Sequence, residues 1–475
     1  MRSVASIGLL AAAIVTAVPG TGQQRQTGCD LQVETAPGAM SRMTQLADGE
    51  TRSDVWGGVE ATCGSKWLRA DSASFYDQRG VLYLFENVEY RDEGRALVAE
   101  RATYYQDEDW VRAEGNVVLS DTLGGSTLVG PVLEYYPMSA GRPQERMFAP
   151  GRPHLTFYRE DAAGEEETPF EVDADRVHIY GDSAIAGAGR VVAVRGDLNA
   201  FGDSMDLDLG SDVLWLLGEP RVEAGETVLE GDSVLIRLEE GRVREIEAWP
   251  NASAVGSELS LAAPLLRMFV DSEEISRAVA SAGDPERTGA VDSAGREPWA
   301  RSMSRDYTLT ADSIDIHRPG GQLERLIAVN GARAATTERL LPAGELLGTD
   351  WLEGETITGY FAPPDSTGGG EQEIELTRLE ASGSARALYH IYEEREESEA
   401  PTLPGVNYVI GNMVTLFLEE GEVREARVVG PSTGVYLEPL PIATDGDSAT
   451  AAADSLSGAA ADTAAADTAA AGGAR

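Results

Sequence analysis

Leu68-Arg69-Ala70-Asp71-Ser72-Ala73-Ser74-Phe75-Tyr76 is the stretch that decides the fold. Apolar and polar residues alternate on both sides of the Ala70-Asp71 pair, the period-two signature of a strand with one dry face and one wet face. Leu68 stands three positions before Asp71, whereas Ala73 and Phe75 stand two and four positions after it, so the two halves have opposite parity. An unbroken flat strand would send them to opposite faces. A bend or bulge at Ala70-Asp71 reconciles them, because a small residue permits close backbone approach and the next residue can redirect the ladder. An ordinary turn between two separate strands is the plainer alternative.

The same pattern recurs along the chain, anchored at Asp71, Glu100, Pro131, Asp175, Asp203, Asp232, Pro264, Asp312, Glu355 and Asn412, each preceded by Ala or Gly. Two positions after the later anchors stand Leu133, Val177, Met205, Val234, Leu266, Ile314, Ile357 and Val414. Four positions after stand Tyr104, Tyr135, Ile179, Leu207, Ile236, Met268, Ile316 and Leu416, with Gly359 the one break. The tightest spacing is about 29 residues, room for two strands of about ten residues each with their connections. A second strand with a mid-strand glycine is visible at 110–119 and 213–222. The expected fold is therefore all-β: an elongated antiparallel stack of about ten two-strand repeats.

The remaining segments read as follows. Arg2 and the apolar run 7–18, followed by Pro19 and small residues, mark 1–22 as an export signal peptide. An uncleaved membrane anchor is the alternative, although 3–20 reaches only the lower edge of spanning length. β repeats are expected over 29–137, 170–270 and 306–441. The span 138–169 reads as an insertion and 271–305 as a linker or loop, both polar and poor in alternation. From 442 to 475 an Ala/Asp-rich tract should be disordered, since it cannot bury enough apolar surface to offset its ordering entropy.

Composition excludes further classes. Lys+Arg total 38 against 80 Asp+Glu, a formal net charge of −42, so a general nucleic-acid binder is excluded for want of basic surface. His154, His178, His317 and His390 are scattered, and none sits in a catalytic motif. Anchors such as Asp71 and Asp175 recur at one strand position per repeat, which points to backbone architecture rather than to catalysis or calcium. No catalytic residue, metal site or cofactor is expected. In an exported chain Cys29 and Cys63 either close one disulfide or remain two thiols.

Leu68 to Tyr76, followed by Ala113-Glu114-Gly115-Asn116-Val117-Val118-Leu119, resembles the OstA/LptA family of periplasmic lipopolysaccharide-transport proteins. The likeness is best over 59–136 and continues with drift over 170–270 and 307–440. The resemblance implies a V-shaped β-taco or jellyroll of two facing sheets whose interior takes acyl chains. The lipid-groove candidates are then Phe75 and the sixteen apolar residues named two and four positions after the later anchors. It also implies a periplasmic carrier or bridge, associated with the inner or outer membrane. Its unpaired terminal strands would join copies of itself or other envelope transport proteins. Some twenty strands shared between two sheets would give a strip on the order of 50 Å long. A non-catalytic structural or adhesive β-solenoid scaffold at the cell envelope is the alternative function. The charge of −42 opposes anionic lipopolysaccharide heads unless these stay in screened solvent, whereas a neutral or zwitterionic lipid removes the conflict.

Overall fold

The computed structural model describes residues 31–438 apart from 159–167, 240–241, 273, 290–298, 337–338, 341–345, 363–374, 392–403 and 420. The expected signal peptide over 1–22, the 442–475 tract and Cys29 lie outside the described residues. Thirty-two strands form one continuous sheet, antiparallel throughout its described pairings. Neighbours in sequence are neighbours in space: Thr51–Cys63, Lys66–Tyr76, Val81–Arg91, Arg95–Tyr105, Trp110–Asp121 and Thr127–Tyr136 pair in order as a meander.

Each of these long strands is a bent rung. Pairing between Lys66–Tyr76 and Val81–Arg91 runs Leu68↔Tyr90 and Arg69↔Glu89, then resumes at Ser72↔Phe85. Two residues on one rung thus face three on the next, a bulge that turns the chain and resets its parity. Leu68, Ala70 and Ala73 are all buried as a result. The half of each rung typified by 72–76 builds one wall, and the half typified by 66–70 builds the other. Elsewhere the corner interrupts the rung outright, as between Phe170–Asp173 and Arg176–Tyr180, or between Thr227–Glu230 and Ser233–Glu239.

The corners explain the anchors. The Asp175, Asp203, Asp232 and Asp312 backbone N–H groups donate to the carbonyls of Gly189, Gly218, Pro250 and Asn330 on the following rung, at 2.8 to 3.2 Å. Asn87 donates to Asp71 at 2.7 Å, Asn116 to Glu100 at 2.6 Å and Asn251 to Asp232 at 3.0 Å. These three asparagines have positive φ, as does Arg190, which grips Asp175 instead. At Gly189, φ is +80° and an added Cβ would lie 2.6 Å from an Asp175 carboxylate oxygen, so the position admits no side chain without displacement. The recurring acid is a cap on the next rung's left-handed corner.

Three expectations require correction. The span 138–169 is not wholly an insertion, because Arg146–Pro150 and His154–Phe157 form a rung broken at Gly151-Arg152-Pro153. Likewise 271–305 contains Glu274–Ser281 and Ala300–Met303, which pair with both neighbouring rungs. Between them the described residues carry the short helix Pro285–Thr288, which is capped by Asp284. Finally, every rung passes through both walls instead of being assigned to one. About 22 rungs at about 4.8 Å each give a stack about 100 Å long, twice the expected length.

Candidate functional site

The seventeen candidate residues come together on the inner face of one wall. Register joins them into two columns. The outer column runs through Tyr104, Val111, Tyr135, Met147, Ile179, Ile185, Leu207, Leu214, Ile236, Ile246, Met268, Ala278 and Ile316, each directly opposite the next. The inner column, beside the corner, alternates large and small: Val234, Ala248, Leu266, Ala280, Ile314, Ala328, Ile357, Ala381 and Val414. Those alanines of the intervening rungs were not singled out from sequence. Their signal is the regular Ala one rung after each large residue, where the walls converge and leave room for one methyl.

Fifteen of the seventeen side chains are buried, while Phe75 and Ile179 are half-buried. They belong to one apolar cluster that runs from Val55 to Leu418. The facing wall supplies a third column, and its character changes along the stack. Leu68, Tyr90, Leu97, Leu119, Leu128 and Leu155 fill the first third with bulk. Ala193 and Ala200 then stand opposite each other, and Ala254, Ser302, Ala334 and Ala387 follow between larger residues.

The mouth between the wall tips changes at the same place. In the first third it is clasped. Lys66, on one wall's hairpin tip, meets Asp109 on the other's at 2.5 Å, and the Tyr104 hydroxyl also donates to Asp109 at 3.0 Å. Farther along, the Tyr135 hydroxyl donates to Asp92 across the mouth at 2.8 Å, and Arg95 pairs with Glu145 across it and with Asp121 at 2.6 Å. Burial, reinforced by Asp92 and Asp109, pushes the phenols of Tyr90, Tyr104 and Tyr135 far up, so they remain donors. Cys63 is disulfide-bonded, and its sulfur lies 2.9 Å from the Tyr104 hydroxyl. Cys29, the other half of the disulfide that the sequence left open, falls outside the described residues.

In the middle the mouth stands open as a cleft of about 730 Å³. The tips at 195–198, 224–227 and 257 line one side, and those at 242–244, 270–272, 274–275, 318 and 321 line the other. Leu198, Val243, Val270 and Ile275 form an apolar floor continuous with the core. Thr227, Ile275 and Arg318 also border a deeper void of about 30 Å³, lined by Leu261, Met268, Ala278 and Ile316. Met268 and Ile316 are thus the candidates nearest the cleft. At its far end Arg318 reaches Glu258 across the mouth at 3.4 Å.

Other chemistry is dispersed. His154 pairs with Asp173, His317 with Asp315 and His390 with Asp350, while His178 lies between Phe148 and Tyr180 on the outer face. Among the described residues no group of three or more His, Cys, Asp or Glu side chains is placed to hold a metal ion. No described helix is long and apolar enough to cross a membrane. No family model matches the chain, and no curated protein matches it.

Proposed function

We propose that the protein is an exported, non-catalytic lipid carrier or bridge that shields acyl chains between its two walls. The observation that carries this reading is the unbroken apolar seam, which becomes thinner where the mouth opens into an apolar-floored cleft. Each methylene moved from water into such a seam contributes about 0.8 kcal/mol, so a lipid is held without a dedicated polar anchor. Lipopolysaccharide in transit through the periplasm to the outer membrane is the cargo that the OstA/LptA resemblance implies. The terminal rungs suit extension by strand pairing: Thr433–Leu437 is exposed at every residue, and Met40–Gln45 at all but one. Other copies of the chain or envelope transport proteins would dock there.

Near-complete burial of the candidates favours a second reading, an envelope scaffold whose interior is simply its core. Lipid extraction and mass spectrometry of the protein purified from its native envelope separate the two. Stoichiometric acylated lipid supports the carrier, and preparations free of lipid under several mild detergents support the scaffold.

A further inference from the structure

We infer that the central cleft is a lateral loading port for one phospholipid with a zwitterionic headgroup. This inference rests on the lipid-carrier reading and narrows its cargo. The clasp of the first third holds the walls together, whereas about 730 Å³ lies open between the central tips. Behind that opening the facing wall narrows to Ala193 and Ala200. There an entrance and a thinned interior coincide.

The rim chooses the headgroup. It carries Arg195, Arg242, Arg244 and Arg318 together with Asp197, Glu226, Asp271 and Glu274, so opposite charges balance in a molecule whose overall charge is −42. Arg318 donates from its terminal nitrogen to the Gly321 carbonyl at 2.8 Å and pairs with Glu258 at 3.4 Å, yet its buried Nε–H has no hydrogen-bond partner, and this side chain borders both the cleft and the deeper void. A buried donor in that state calls for an acceptor, and a phosphate oxygen supplies one with charge assistance. The rim carboxylates favour a cationic amine beside that phosphate. A multiply anionic head would meet the same carboxylates and the negative field of the whole chain.

The test uses the full-length protein, delipidated, and three soluble probes with identical seven-carbon chains: a diacyl phosphocholine, a diacyl phosphoglycerol and a diacylglycerol. Calorimetric titration should rank the phosphocholine tightest. Arg318→Met should weaken it about tenfold while leaving the diacylglycerol unchanged. Val243→Glu, at a half-buried floor position, should weaken all three. Equal or tighter binding of the phosphoglycerol, or unchanged phosphocholine binding in Arg318→Met, overturns the headgroup assignment. Binding that ignores Val243→Glu overturns the port but leaves the carrier reading standing. Failure of every probe to bind overturns both.

Discussion

At the scale of single residues, the acid that recurs along the chain caps a corner. The space at Gly189 is taken by the Asp175 carboxylate, whereas Gly196, also at positive φ, has nothing within 4 Å of an added Cβ. Gly196→Ala should therefore cost about 1 kcal/mol and Gly189→Ala about 2–3 kcal/mol, as the difference in denaturation midpoints will show. Glu247, buried beneath arginines on the outer side of its wall, gives a pH-dependent counterpart. Burial pushes its carboxyl up, but hydrogen bonds from Arg287 and Arg237 outweigh that and hold it below the usual carboxylate range. A carboxyl depressed in the folded state adds stability above its unfolded pKa, and that stability is lost as the pH falls through the folded value. Glu247→Gln should lower stability at pH 7 by about 1–2 kcal/mol and flatten the acid limb of the stability profile below about pH 5. An unchanged acid limb would show that Arg237, Arg267 and Arg287, which surround Glu247, do not couple to folding.

At the scale of elements, legibility divided by sequence distance. The bends at Ala70-Asp71 and its repeats could be read because parity, small residue and cap all fall within a few residues of one another. Short broken rungs such as Arg146–Pro150 with His154–Phe157 could not, since four or five residues around Gly and Pro carry too little alternation to differ from a loop. The clasp was invisible for another reason. Lys66 and Asp109 belong to hairpins several rungs apart and meet only because the facing walls are offset. Their side chains are mostly buried, so Asp109→Ala leaves a cation without its partner. We expect a loss of about 2 kcal/mol and faster amide exchange at Tyr104 and Val111, with the central rungs unaffected. Exchange rates raised uniformly along the stack would mean that the clasp acts on global stability and not on the mouth.

At the scale of the whole molecule, sequence established the dry face but not its geometry. Because each rung turns through both walls, the stack is about twice as long as a division of strands between two sheets implies. Small-angle scattering of a monomer should give a maximum dimension of at least about 100 Å, and a value near 50 Å would contradict the continuous stack. The columns of buried residues were legible as positions, yet their enclosure was not, because a period-two pattern specifies which face is dry and not what covers it. Whether that interior opens to acyl chains is the central claim. Site-specific photocrosslinking with an aliphatic diazirine residue tests it most directly, placed in turn at buried Ile236 and at Asp206 on the wet face. The account predicts lipid adducts from position 236 and none from 206, whereas equal labelling at both positions, or none at either, would contradict it.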